Sequence, residues 1–354
     1  MSLPIIVTGG AGFIGSEVVR QIVANSESTV VTVDALTYAG SLANLADVAQ
    51  SDRHMLVHLD IADADAMTTL FATHRPHAII HLAAETHVDR SIDSSAPFIH
   101  TNIEGTYVLL EAARHYWSTL EASAKATFRF LHVSTDEVYG SLGSTGQFDE
   151  QSPYRPNSPY AASKAAADML VRAWHHTYGL PTIITNCSNN YGPYQFPEKL
   201  IPLTIQKCLS GAPIPVYGKG NNVRDWLFVK DHARALRRVL ADGQPGETYC
   251  ISATTEKTNL EIVTMVCEIL DQLRPQKATY AQQITFVPDR PGHDFRYALN
   301  PTRLRTAIGW QPMFELKPAL THTVQWYLDH QEWIKAVMGD RYSGQRLGTG
   351  AIHD

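Results

Sequence analysis

Short apolar runs alternate with amphipathic segments through the first half of the chain. The amphipathic segments at 13–24, 63–74, 98–117 and 159–178 predict helices. This alternation indicates crossover units, and therefore an α/β fold with a parallel sheet between two layers of helices. The predicted strands are almost continuously apolar, which is typical of a sheet covered on both faces. They are PIIVTGG (4–10), TVVTVDAL (29–36), HMLVHLDIAD (54–63), HAIIHLAAE (77–85), TFRFLHVSTDEVYG (127–140) and PTIITNCSN (181–189).

The pattern changes after about residue 190. Proline and glycine cluster in NYGPYQFPEKLIP (190–202) and GAPIPVYGKGNN (211–222), which favours loops. DWLFVKDHARALRRVLAD (225–242) then predicts a returning strand–helix unit, and ETYCIS (247–252) predicts a further strand. Helices are predicted near 259–273 and 316–335.

These elements divide into a larger and a smaller domain. We predict a Rossmann-type doubly wound parallel sheet over 1–190, with a returning segment at about 224–253. A smaller, interleaved C-terminal α/β domain takes 191–223 and 254–336, and the remaining 337–354 form a polar, glycine-rich tail.

Charge and cysteine content narrow the class of protein. The formal net charge of -6 does not supply the basic face that a nucleic-acid binder needs. The cysteines, at 187, 208, 250 and 267, lack the spacing of zinc ligands and are expected to be reduced. The N-terminus has no secretory pattern, and no apolar run approaches the about 20 residues that cross a bilayer. We therefore expect a soluble, cytoplasmic protein with no metal, nucleic-acid or membrane partner.

The segment TGGAGFIG (8–15) follows the first predicted strand and opens a helix. Gly9, Gly12 and Gly15 have the spacing of a dinucleotide-binding loop, in which a tight turn brings the backbone and a helix N-terminus close to a pyrophosphate. Asp34 ends the second predicted strand. A carboxylate there accepts hydrogen bonds from ribose hydroxyls and repels a 2′-phosphate, which favours NAD over NADP. The alternative role for Asp34 is that of a turn or cap residue.

Tyr160 and Lys164 lie four residues apart on the predicted helix over 159–178, and therefore on one face of it. We expect Lys164 to favour the phenolate and so to lower the pKa of Tyr160. Such a tyrosine can take a proton from a hydroxyl while a hydride leaves the same carbon. The alanines of AASKAAA (161–167) permit close approach of another helix, either that over 98–117 or one from a second subunit.

Together these features resemble the extended short-chain dehydrogenase/reductase superfamily, and longer motifs narrow the match. The chain is similar over nearly its whole length to the dTDP-glucose 4,6-dehydratases. The resemblance implies NAD as cofactor, a nucleotide-sugar as substrate and a homodimer formed through helices. The motifs that carry it are HLAAETHVDRSI (81–92), VSTDEVYG (133–140), NCSNNYGPYQFPEKLIP (186–202), VRDWLFVKDHARAL (223–236) and PDRPGHDFRYALN (288–300).

The resemblance also implies a reaction and roles for its residues. The C4 hydroxyl is oxidised with NAD as acceptor, water is eliminated across C5 and C6, and the hydride returns to C6, giving a 4-keto-6-deoxy sugar for deoxysugar (rhamnose-type) biosynthesis. Asp136 is then the acid that protonates the C6 hydroxyl, and Glu137 is the base at C5. Thr135 bonds the C4 oxygen beside Tyr160, assisted by Lys164. Adjacent carboxyl groups push their pKa values apart, which suits this division.

The binding residues fall into two sets. Asp60 and Ile61 follow the third predicted strand and are placed at the adenine edge. The full cofactor set is Gly9, Gly12, Phe13, Ile14, Gly15, Asp34, Thr37, Asp60, Ile61, Ala83, Ala84, Thr101, Tyr160, Lys164 and Asn189. The substrate set is Thr86, His87, Thr135, Asn189, Lys199, Leu200, Pro215, Tyr217, Arg224, Asn259, Arg290, His293 and Tyr297.

Three positions depart from the family pattern, and other functions stay open. Thr86 stands where we expect serine, and Lys219 and Asn222 stand where we expect an acid and a glutamine. The alternatives are a 4,6-dehydratase of another nucleotide-hexose such as UDP-glucose, and a nucleotide-sugar 4-epimerase, which has no use for Asp136 and Glu137. A non-catalytic cofactor sensor would not need the Tyr160–Lys164 pair.

Overall fold

A computed structural model describes residues 3–339 and residue 347. Its strands are β1 (Ile5–Thr8), β2 (Val30–Asp34), β3 (His54–His58), β4 (Ala78–His81), β5 (Arg129–Thr135), β6 (Thr182–Cys187), β7 (Asn189–Tyr191), β8 (Ile214–Tyr217), β9 (Val223–Phe228), β10 (Thr248–Ile251), β11 (Glu256–Thr258) and β12 (Ile284–Val287).

The helices follow the predicted amphipathic segments and add several short ones. They are α1 (Phe13–Asn25), α2 (Ala64–His74), α3 (Val88–Asp93), α4 (Ala96–Phe98), α5 (Thr106–Ser118), α6 (Ala122–Thr127), α7 (Pro159–Tyr178), α8 (Leu200–Ser210), α9 (Val229–Asp242), α10 (Asn259–Leu273), α11 (Thr302–Ile308), α12 (Leu316–Asp329) and α13 (Gln331–Met338). A π-helical segment, Ile99–Gly105, precedes α5.

The central sheet has seven strands in the order β10-β6-β5-β4-β1-β2-β3, all parallel. The strand order reverses beside β1, which pairs with β2 on one side and β4 on the other. Ligands of open parallel sheets bind at such a switch point, beyond the carboxyl ends of the strands. The predicted doubly wound α/β fold is confirmed.

Each face of the sheet buries one set of alternating side chains, because successive residues of a strand point to opposite faces. Val7 packs with Val18 and Leu236 on one face, while Ile6 packs with Phe71 on the other. A third apolar cluster, containing Ile205, Val216, Val266 and Leu320, forms the centre of the smaller domain.

The returning strand–helix unit differs from the prediction. Its strand, β9, pairs with β7 and β11 in a separate three-stranded sheet and does not enter the central one. The edge of the central sheet beside β6 is occupied by β10, the strand predicted from ETYCIS. Its helix, α9, does pack against α1 of the larger domain, so the unit contributes to both domains.

Two of the predicted elements are divided in the structure. The strand predicted over 127–140 stops at Thr135, and Asp136–Tyr139 form a 3-10 turn. The helix predicted over 316–335 is interrupted at His330 between α12 and α13. Most of the predicted tail, 337–354, lies outside the described residues. Within the part of the chain that is described, no helix is long and apolar enough to cross a membrane.

Candidate active site

The turn between β1 and the start of α1 leaves no room for a side chain at Gly9 or Gly15. A Cβ on Gly15 would lie 2.1 Å from the Gly9 carbonyl O, and one on Gly9 would lie 2.6 Å from the Ala83 N. Gly9 also has a φ of 68°, which favours glycine. Gly12 caps α1 without a side-chain hydrogen bond, so the first N–H groups of the helix remain available for an anion. This loop fits a dinucleotide pyrophosphate.

Asp34 shapes the same loop from the end of β2. Its carboxylate accepts hydrogen bonds from the Ala11 N at 2.9 Å and the Leu36 N at 2.8 Å. Burial raises the pKa of Asp34, and these two bonds oppose that rise. Asp34 therefore has the turn role that was left open as an alternative. Its carboxylate also borders the cavity where a ribose would lie.

A cavity of about 310 Å³ runs from the glycine loop to the carboxyl ends of β4, β5 and β6. Every residue in the predicted cofactor set lines it, from Gly9 and Asp34 at one end to Lys164 and Asn189 at the other. Thr86 and Lys199 of the predicted substrate set line it too. Sequence reasoning missed several lining residues, which are Tyr38, Glu85, Ser134, Asn190, Phe196 and Glu198.

The run Thr135-Asp136-Glu137 lies at the wall of this cavity where β5 ends. Thr135 caps the 3-10 turn, since its Oγ1 accepts a hydrogen bond from the Glu137 N at 3.3 Å. The Asp136 side chain is buried, and its Oδ2 has no hydrogen-bond partner. Thr135 thus supplies the cap of this turn, and neither carboxyl group does.

The two carboxyl groups have different electrostatic surroundings. Burial and the neighbouring charge of Glu137 raise the pKa of Asp136 well above its usual value. Burial also raises the pKa of Glu137, but the charges of Arg290, Arg224 and Lys199 oppose the rise. Burial thus favours the protonated form of Asp136 most strongly, whereas the three cations favour the ionised form of Glu137, which suits an acid beside a base.

Tyr160 and Lys164 reach the cavity from the first turns of α7. The Lys164 Nζ donates to the Val133 O at 2.8 Å. Burial, followed by the charge of Glu137, raises the pKa of Tyr160 well above its usual value, and hydrogen bonding to Thr135 opposes the rise. The expected lowering of this pKa by Lys164 is not found, because burial dominates the shift and the ammonium group donates to a strand carbonyl.

The predicted nucleotide residues form a second cluster beside the cavity. Arg290 forms an ion pair with Asp89, and the Tyr217 hydroxyl donates to the same carboxylate at 3.0 Å. The Arg224 guanidinium lies 4.3 Å from the ring centre of Tyr297 and donates to the Asp294 O at 2.9 Å. Both arginines are thus bonded to acceptors of the protein itself.

The other predicted substrate residues are more scattered. His87 caps α3, and burial lowers its pKa well below the usual value, so it is neutral. His293 pairs with Asp289 at 2.6 Å. Leu200 opens α8, Asn259 opens α10 and Pro215 lies in β8, and none of these three lines the cavity. Among the described residues, no three His, Cys, Asp or Glu side chains could hold a metal ion.

Comparisons with known proteins agree on one family. A sequence model of the GDP-mannose 4,6 dehydratase family matches residues 6–323. The chain is 56% identical over 351 residues to a dTDP-glucose 4,6-dehydratase of Neisseria meningitidis, covering 98% of this chain and 99% of the relative. It is 54% identical over 349 residues to dTDP-glucose 4,6-dehydratase 1 of Escherichia coli K12, covering 96% and 97%.

A solved structure of a dTDP-glucose 4,6-dehydratase is also similar to this chain. DesIV, a dTDP-glucose 4,6-dehydratase from Streptomyces venezuelae crystallised with NAD and TYD bound, superposes with a TM-score of 0.87 at 44% identity. The match covers 95% of this chain and 100% of that one. The likeness therefore includes both the central sheet and the smaller domain.

Proposed function

The chain belongs to the GDP-mannose 4,6 dehydratase family, and we propose that it is an NAD-dependent hydro-lyase that converts dTDP-glucose to dTDP-4-keto-6-deoxyglucose. The observation that carries this proposal is the pair Asp136 and Glu137, adjacent at the end of β5 in different electrostatic surroundings beside Tyr160. An epimerase has no step that needs such a pair.

The central-sheet domain would hold NAD and the smaller domain the nucleotide of the substrate. The glycine loop fits the pyrophosphate, and Asp34 borders the position of a ribose. Bound there, NAD supplies a reversible two-electron acceptor for the sugar. Thr101, Ala83 and Ala84 line the same cavity and would shield the bound cofactor from water.

The residues of the chain move the protons. Tyr160 takes the proton of the C4 hydroxyl, and Thr135 holds the oxygen that becomes the ketone. A ketone at C4 acidifies the C5 proton, which Glu137 removes as an ionised base. Asp136, kept protonated by burial, gives its proton to the C6 hydroxyl as water departs. General acid–base catalysis of this kind contributes about 10² to 10⁴ in rate.

Incubation of the purified protein with dTDP-glucose tests this function. We expect a product lighter by one water without any added reductant, measured by mass spectrometry. Formation of only the C4-inverted sugar would identify an epimerase. A panel of dTDP-, UDP-, CDP- and GDP-glucose compared by kcat/KM settles the nucleotide, and we expect the highest value for dTDP-glucose.

We also propose a homodimer through α5 and α7. Tyr107 on α5 is 47% exposed, and Met169 and Tyr178 on α7 are 50% and 47% exposed, so both helices present large apolar side chains to solvent. Exposed apolar surface of this kind favours association. Met169→Lys should yield a monomer in analytical ultracentrifugation, whereas Met313→Lys, at a residue 71% exposed elsewhere, should not.

The cysteines support a cytoplasmic location. Cys187, Cys208, Cys250 and Cys267 are all free and buried. Free thiols persist in compartments that keep them reduced. We therefore expect the enzyme in the cytoplasm, which fractionation of cells followed by an activity assay would test.

A further inference from the structure

Helix α7 is bonded to strand β5 through two charged side chains one helical turn apart. The Lys164 Nζ donates to the Val133 O at 2.8 Å. The Asp168 Oδ2 accepts from the Ser134 Oγ, also at 2.8 Å. Val133 and Ser134 directly precede Thr135 on the strand. The two side chains therefore fix the helix that carries Tyr160 against the strand end that carries the carboxyl pair.

Asp168 lies in a fully enclosed polar cluster. Its side chain is 1% exposed. Its Oδ2 also accepts from the Tyr154 hydroxyl at 2.9 Å and from the Asn186 Nδ2 at 3.3 Å. Its Oδ1 lies 3.1 Å from the His132 Nε2. Burial lowers the pKa of His132 well below its usual value, so this histidine is neutral, and the cation whose charge acts on Asp168 is Lys164, one helical turn away.

Lys164 needs a counter-charge because it is buried. Lys164 is 4% exposed. Burial lowers its pKa, and the charge of Asp168 opposes this fall. A lysine buried without a partner can lose up to about 3–5 pKa units and become neutral near physiological pH. The charge of Lys164 thus depends on a carboxylate that does not touch the cavity.

We propose that Asp168 is a positioning residue of the dehydratase, which keeps Lys164 charged and bonded to the Val133 carbonyl and thereby fixes α7, with Tyr160, against the end of β5. The proposal rests on the proposed function, because it concerns the same proton transfer. Ser134, Tyr154 and Asn186 hold the carboxylate in place, so that its charge stays directed at the lysine of the next turn.

The first test is the substitution Asp168→Asn, which keeps the shape of the side chain and removes its charge. We expect the Lys164 pKa to fall by at least about one unit, as the loss of an opposite charge nearby predicts. NMR of protein labelled with ¹³C at lysine Cε measures this, and Lys164→Met identifies the resonance. The alkaline limb of the kcat/KM profile should move to lower pH by a similar amount, because Lys164 then loses its charge at a lower pH.

Tyr154→Phe is the matched control, since it removes one hydrogen bond to Asp168 and leaves the charge. We expect lower thermal stability and an alkaline limb at the wild-type pH. A uniform loss of kcat/KM at all pH values in Asp168→Asn, with an unchanged Lys164 titration, would overturn the proposal. An equal displacement of the alkaline limb in Tyr154→Phe would also overturn the proposal.

A measurement on the unaltered enzyme covers the case in which Asp168→Asn does not fold. Burial raises the pKa of Asp168 to about 6, so acidification through that pH should displace the Lys164 resonance. A resonance without an inflection there contradicts the proposal. If the enzyme does not turn over dTDP-glucose, the proposed function fails, while this titration still reports on the Asp168–Lys164 pair.

Discussion

The two halves of the cleft are built in different ways. The cofactor half is a continuous backbone loop whose shape depends on the absence of side chains, as at Gly9 and Gly15. The half that we propose for the nucleotide of the substrate, here called the nucleotide half, consists of long side chains from separate segments, and its arginines already have partners in Asp89 and the Asp294 carbonyl. The first half is therefore ready to bind, whereas the second must exchange internal bonds for bonds to a ligand.

Glu137 lies where the two halves meet, and its substitution should have the largest effect. It lines the cavity, yet the cations that oppose the rise of its pKa, Arg290, Arg224 and Lys199, come from the nucleotide half and its border. In Glu137→Gln we expect kcat to fall by about 10³, within the range of lost general bases. The measurement is product formation together with deuterium entry at C5 of the sugar in D₂O, and both should disappear.

The matched control is Glu332→Gln, because that side chain is 88% exposed on α13. Its rate should equal that of the wild type. Deuterium entry at C5 that survives Glu137→Gln would show that another group is the base.

A substitution in the glycine loop should have the second-largest effect. In Gly15→Ala the new Cβ would meet the Gly9 carbonyl at 2.1 Å, and backbone cannot move aside as a flexible side chain can. We expect the cofactor Kd to rise by about 100-fold, or about 2.7 kcal/mol. Isothermal titration with NAD measures it. Gly143→Ala is the control, because nothing lies within 4 Å of its Cβ position, and normal NAD binding by Gly15→Ala would show that the loop is not a preformed cradle.

The difference between the cofactor half and the nucleotide half also explains which contacts the sequence could predict. The whole cofactor set lines one cavity because its signals are local: a glycine spacing, a strand-end carboxylate and a helical Tyr–Lys pair. The partners in the nucleotide half are distant, with Asp89 and Arg290 separated by 201 positions, and such a pair leaves no local pattern. The switch of β9 into another sheet escaped prediction for the same reason, since its apolar pattern does not specify a partner strand.

Arg290→Ala should weaken the nucleotide half without abolishing chemistry. A hydrogen bond to a charged group contributes about 1.5–3 kcal/mol, so we expect KM for dTDP-glucose to rise by roughly 10- to 100-fold. Since the charge of Arg290 opposes the rise in the pKa of Glu137, its loss raises that pKa, and activity at the acid end of the profile should be lost first. The measurement is kcat and KM as functions of pH.

Arg238→Ala serves as the control, because this arginine pairs with Asp242 on the exposed side of α9. Its kcat, KM and pH profile should match the wild type. An unchanged KM in Arg290→Ala would mean that the diphosphate does not contact this arginine.

We expect the smallest effect for Asp89→Asn. This substitution is also the sharpest test of the difference between the two halves. Asp89 accepts bonds from both Arg290 and Tyr217, so it competes with any diphosphate for the same donors. The amide keeps the shape and one acceptor oxygen but removes the competing charge. We expect dTDP to bind up to about tenfold more tightly, a gain of about 1.4 kcal/mol, with a steeper dependence on salt because a less compensated arginine attracts the anion.

Breaking the ion pair should lower the free energy of unfolding at the same time. Titration calorimetry with dTDP at several salt concentrations, beside thermal unfolding, measures both. Weaker binding would show instead that Asp89 orients Arg290 for the ligand, and that the nucleotide half is as fully prepared as the glycine loop.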